Sequence, residues 1–211
     1  QIAGSADATI VVAGLTKKEE GEYIPIPRPI GGDRMKLGLS EKDEQLIQAV
    51  ANQDTPCIVA LVGSSAITME SWKDRVDAIL MAWYPGMEGG NALADILFGQ
   101  VNPSGKLPMT FCKSETQLYP FDKKAKKAIY DAYHGYRYFD RENLAPAFHF
   151  GFGLSYTDYT YAKLRLDKNQ VRLDDNPDEI LTVSVDVTNT GKRAGDEIVQ
   201  LYMGYHGDVS R

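Results

Sequence analysis

The sequence predicts an α/β fold, a mainly parallel sheet sandwiched by helices, followed by an incomplete antiparallel β-sandwich. Two patterns carry this. Before Tyr159, short continuous apolar runs alternate with stretches of helical periodicity, and from Tyr159 onward the period changes to two. Continuous β-branched runs belong to strands covered on both faces of a parallel sheet, whereas strict alternation marks half-buried antiparallel strands.

Residues 8–13 (ATIVVA) are such a run, so a strand buried on both faces is expected there. A polar loop follows. Ser40 then precedes Glu41, Lys42 and Asp43, a serine with an acid three residues on, and Leu46, Ile47, Val50 and Ala51 recur at helical spacing. That predicts a capped amphipathic helix. Residues 57–62 form a second buried-type strand and residues 77–83 a third, which Pro85 and Gly86 break. Residues 91–98 show helical spacing at Ala94, Leu97 and Phe98 before Gly99 stops it. Asn102, Pro103, Ser104 and Gly105 make a turn, and a closing strand is expected up to Phe111. Repeated strand, helix, strand units imply right-handed crossovers and a parallel sheet, whose carboxyl-end loops are the usual place for catalytic groups. Residues 16–34 sit at the end of the first strand.

In the trailing part, Leu164 and Leu166 alternate with Tyr161, Lys163 and Arg165, and Leu181, Val183, Val185 and Val187 alternate with polar residues. Asn189, Thr190 and Gly191 close that strand, and Ile198, Leu201 and Tyr202 predict another.

Bulk properties exclude several classes. Lys plus Arg total 23 against 29 Asp plus Glu, a net charge of −6 with dispersed charges, which argues against a nucleic-acid or anionic-membrane surface. The four lysines of residues 121–132 read as a solvated face. No apolar run is long enough to cross a bilayer, and the first residues lack the basic region and cleavage site of a signal peptide, so a soluble chain is expected. Cys57 and Cys112 lie in or beside predicted strands and read as small buried thiols. Two cysteines and three scattered histidines (His134, His149, His206) support neither a disulfide framework nor a metal set, and no cofactor is expected. The glycine-rich runs at 86–90 and 151–153 lack the spacing of a phosphate loop and read as turns.

Four collinear stretches carry a further signal: residues 31–50 (GGDRMKLGLSEKDEQLIQAV), 82–111 (AWYPGMEGGNALADILFGQVNPSGKLPMTF), 133–140 (YHGYRYFD) and 148–161 (FHFGFGLSYTDYTY). Together they resemble the second domain of glycoside hydrolase family 3, the β-glucosidase and β-xylosidase family. The resemblance implies an α/β-sandwich domain over residues 1–158 and part of a fibronectin type III-like module over 159–211, with VDVTNTGKRAGDEIVQLYM a typical run of that module. About half of the roughly seven strands such a sandwich needs are present, so another chain or a continuation would complete it. Both ends read as cut, and the resemblance implies a fragment of a longer enzyme with a barrel domain elsewhere in the polypeptide.

Glycosidic hydrolysis requires two carboxyl groups, one to protonate the leaving oxygen and one to attack or support the sugar cation. The loop KKEEGEYIPIPRPIGGDR holds Glu19, Glu20 and Glu22, then Asp33 and Arg34. Glutamates clustered in a polar loop ordinarily form solvated surface. The resemblance implies instead a proton donor on this loop, followed by a small residue and upstream of an Asp-Arg pair. Glu20, followed by Gly21, matches best, with Glu19 and Glu22 as alternatives because the proline-rich insertion loosens the register. Asp33 and Arg34 are expected to anchor the loop by an ion pair or to touch sugar. The family's nucleophile is an aspartate before a tryptophan on the barrel, and this sequence has no Asp-Trp pair. Trp72 and Trp83 read as packing residues, and the aromatic residues 133–139 as packing between the two modules.

The implied function is the acid/base part of a retaining exo-acting β-glucosidase, acting on a β-glucoside or oligosaccharide. A β-xylosidase, or a non-catalytic scaffold or carbohydrate-contact module, is the alternative.

Overall fold

The computed structural model describes residues 2–20, 34–120, 122, 125–170 and 181–204. Its contacts divide them into two compact units, the first formed by Gln1–Ala94, Leu107–Phe152 and Tyr202–Arg211, the second by Asp95–Lys106 and Gly153–Leu201.

The first unit is built on three parallel strands in the order β1-β2-β3: β1 (Thr9–Gly14), β2 (Cys57–Val62) and β3 (Ala78–Trp83). Helix α1 (Glu41–Ala51) forms the crossover between β1 and β2. Ser40 caps it: the hydroxyl oxygen accepts the Asp43 amide at 3.2 Å, and Glu41, Asp43 and Glu44 complement the helix dipole in the first turn. Its Ile47 is fully buried with Val11, Ala13, Val59, Leu61 and Trp72, and burying one such side chain is worth about 1.5–3 kcal/mol. Cys57 and Cys112 are buried free thiols, and Trp72 is a core residue, as the sequence predicts.

The α/β class holds, while three details differ. Strand β1 is buried on one face only: Val11 and Ala13 are 5% exposed, but Ile10 and Val12, beside Ile58 and Ala60 in register, are 44% and 62% exposed. An apolar run reports strand type, and what covers each face depends on neighbours that the run does not encode. Second, helix α2 (Gly89–Leu97) follows β3 as expected, but no strand closes the unit at Phe111. Phe111 makes a single antiparallel bridge to Phe148, and Pro108, which has no amide hydrogen, sits in the middle of the segment that a strand would need. Third, a short helix α3 (Tyr136–Arg141), too short to show periodicity, stands where the sequence offered only an aromatic motif; its Phe139 is buried, and Tyr136 stacks on Phe150 at 5.1 Å within the first unit.

In the second unit, β4 (Tyr159–Leu166) and β5 (Val183–Asn189) pair antiparallel, with a bulge after Ala162 where Lys163 takes φ 54°. The expected strand around Ile198 and Leu201 does not form. Both side chains are largely exposed, since alternation needs a partner strand to become sheet. The Asn102 turn is tied to this unit through bonds to the Ala194 carbonyl, the Ser155 hydroxyl and the Tyr156 amide, and Lys106 pairs with the nearly buried Glu197 at 3.3 Å. Among the described residues no helix is long and apolar enough to cross a membrane.

Candidate active site

In a parallel sheet every strand ends on the same edge, so whatever follows β1, β2 and β3 is gathered there. After β1 the chain makes a tight turn in which the Glu19 and Glu20 amides both donate to the Thr16 carbonyl, at 3.0 and 2.9 Å. Glu19 closes that turn on itself, its carboxylate accepting from the Thr16 amide at 2.9 Å and from the Thr16 hydroxyl. These bonds hold Glu19 below the usual carboxylate range.

Glu20 points the other way, across the sheet edge. Its Oε1 accepts the Ser64 hydroxyl at 2.7 Å, and its Oε2 accepts the Ser64 amide at 3.3 Å and the Tyr84 hydroxyl. Arg34 Nη1 lies 3.5 Å from Oε1, and both side chains are about one-tenth exposed. Burial pushes the Glu20 carboxyl up, but the donors from Tyr84 and Ser64, with the Arg34 charge, outweigh it and hold Glu20 below its ordinary value. The same bond raises the Tyr84 phenol.

Arg34 is fixed chiefly by neutral partners: Ser65 Oγ at 2.6 Å and the Ala66 and Leu37 carbonyls at 3.2 and 2.7 Å. Asp33 and Glu22 lie outside the described residues, so the structure brings together Glu20 and Arg34 of the predicted set and sets Glu19 apart. A cleft of about 510 Å³ opens beside them, lined by Leu15, Glu19, Arg34, Lys36 and Lys42 among others, and Glu20 is not in its lining. No group of three His, Cys, Asp or Glu side chains able to hold a metal occurs among the described residues.

Sequence reasoning missed Ser64 and Tyr84. A signal existed: each stands one or two residues beyond the last residue of an apolar strand, where a parallel sheet collects its loops.

Residues 1–156 match the family described as the glycosyl hydrolase family 3 C-terminal domain. The chain belongs to that family. As a family 3 C-terminal domain it is 38% identical over 212 residues to "Probable beta-glucosidase I" of Aspergillus oryzae, covering 96% of this chain and 24% of that protein. It is 40% identical over 206 residues to "Thermostable beta-glucosidase B" of Acetivibrio thermocellus, covering 95% of this chain and 26% of that protein. Among solved structures, beta-D-glucoside glucohydrolase from Trichoderma reesei superposes with a TM-score of 0.76 at 31% identity, over 92% of this chain and 29% of the other. Beta-glucosidase 3B from Thermotoga neapolitana in complex with glucose does so with a TM-score of 0.74 at 33% identity, over 92% and 27%. The family 3 domain thus spans about a quarter of the length of the curated relatives it matches.

Proposed function

We propose that this domain supplies the general acid/base carboxyl, Glu20, to a retaining exo-acting β-glucosidase that releases terminal β-D-glucosyl residues. The observation that carries the reading is the convergence of Arg34, Ser64 and Tyr84, from three separate loops, on that one carboxylate at the carboxyl edge of the sheet. A solvated surface glutamate has no such set of partners. The relatives' names, all β-glucosidases, support the substrate class.

In this reading Glu20 gives its proton to the glycosidic oxygen as an aspartate on the barrel domain attacks the anomeric carbon. It then takes a proton from the water that hydrolyses the glycosyl-enzyme. The donor must be protonated at working pH, whereas the bonds around Glu20 favour its anion. A sugar and a barrel wall closing over the edge act in the opposite direction, by excluding water and by bringing the nucleophile's negative charge near, both of which raise a carboxyl's affinity for its proton. Arg34 anchors the loop, the barrel provides the second carboxyl, and residues 159–211 form part of the fibronectin type III-like module.

The test uses the full-length enzyme. Glu20→Ala is expected to slow cellobiose hydrolysis by about 10²–10⁴-fold, the usual worth of general acid catalysis, while an aryl glucoside with a good leaving group still forms the glycosyl-enzyme. Azide then restores turnover and yields β-glucosyl azide. If Glu22→Ala shows the rescue and Glu20→Ala behaves like the parent, the donor is Glu22. If no glutamate variant responds to azide, the domain is a non-catalytic module.

A further inference from the structure

Tyr84 follows an unusual stretch of backbone. Along β2 and β3 the register runs Leu61 beside Met81 and then Val62 beside Trp83, so Ala82 is extra and β3 bulges just before it ends. Trp83 takes φ 54°, a conformation that a bulky side chain adopts only when its surroundings impose it, and its carbonyl accepts the Gly63 amide at 3.2 Å. The bulge and the left-handed residue re-aim the chain. The side chain that leaves the strand next, Tyr84, is 55% exposed, yet its hydroxyl is spent on Glu20. The same local arrangement ties the end of β2 to the end of β3, so that Ser64 and Tyr84 reach the carboxylate from adjacent strands, with at least one donor on each oxygen.

We infer that Tyr84 is a positioning residue for the acid/base carboxyl, its hydroxyl acting with Ser64 to hold the Glu20 side chain in one orientation at the sheet edge. This rests on Glu20 being the acid/base residue. A carboxylate on a loop has three rotatable side-chain bonds, and catalysis needs it within hydrogen-bond reach of the glycosidic oxygen. Donors from Ser64 and Tyr84, one or two residues beyond the ends of the paired strands β2 and β3, remove that freedom. Both donors prefer the anion, and the charged group facing it among the described residues is Arg34. Removing the phenol donor therefore makes Glu20 hold its proton more tightly.

The experiment compares Tyr84→Phe, Ser64→Ala and the parent in the full-length enzyme, following kcat/KM for cellobiose against pH. The substitution keeps the ring, so a merely structural loss would lower the whole profile without moving it. The expected result is a basic limb displaced to higher pH in Tyr84→Phe, because the acid stays protonated further up the scale, with a displacement in the same direction for Ser64→Ala. A ¹³C-carboxyl titration of Glu20 reads the same contact without turnover and is expected to move upward in Tyr84→Phe. A pH profile and a Glu20 titration that both superpose on the parent's overturn the inference. If the titration moves but Glu20→Ala shows no azide rescue, the contact stands, and it is the assignment of Glu20 as proton donor that fails.

Discussion

Gly14 and Val62 meet at the carboxyl ends of β1 and β2 so closely that a Cβ on Gly14 would lie 2.1 Å from the Val62 carbonyl oxygen. That oxygen also accepts the Leu15 amide at 2.8 Å, and the turn carrying Glu20 begins just beyond. Gly14→Ala must push the two strand ends apart. A destabilisation of about 1–3 kcal/mol is expected, the range for overpacking, read as a lower urea midpoint. If Glu20 is the proton donor, the same change in the full-length protein is expected to lower kcat on cellobiose, because it moves the base of the loop that carries Glu20.

Arg34 holds two backbone carbonyls and Ser65 with its planar fork, and lies further, at 3.5 Å, from Glu20. Lysine keeps the charge but cannot reach the three neutral acceptors together. Arg34→Lys is therefore expected to cost about 1–3 kcal/mol through unpaired acceptors. Urea unfolding at pH 7 measures it; a variant as stable as the parent would mean that the Leu37 and Ala66 bonds contribute nothing.

Ser40 satisfies the Asp43 amide at the start of α1. Ser40→Ala is expected to lower stability by about 1 kcal/mol, and Ser40→Gly by only a few tenths, the order that N-cap chemistry dictates. Thermal unfolding of the two variants side by side checks the order.

Glu20 has a folded-state affinity for protons below its ordinary value of 4.5, set by burial that raises it and by Tyr84, Ser64 and Arg34 that lower it further. Such a group contributes stability above the unfolded-state value, and that contribution disappears as pH falls through the lower, folded-state value. The stability gap between the parent and Glu20→Gln is therefore expected to be present at pH 7 and to close as pH drops below about 4.5. Urea midpoints measured from pH 7 down to pH 3 follow it. A gap that widens in acid would mean that the donors do not favour the anion.

The strands, helix α1 with its Ser40 cap and helix α2 are legible in the sequence because each rests on local periodicity and capping, which a few consecutive residues encode. The family resemblance likewise rests on contiguous motifs, and it singled out the loop that carries Glu20. What residues alone left open was which of Glu19, Glu20 and Glu22 is the donor; Glu22 lies outside the described residues, and Glu19 and Glu20 share the same loop and the same chemistry. The distinction comes from Thr16, which captures Glu19, and from Ser64 and Tyr84, which lie 44 and 64 residues away and capture Glu20. Tyr84 reaches it through a bulge and a left-handed Trp83 that no periodicity announces. For the same reason the run at Ile198 failed to become a strand, and one face of β1 stayed open. Local pattern determines what a segment is able to form, whereas pairing, burial and the meeting of distant side chains depend on which other segments the fold brings alongside.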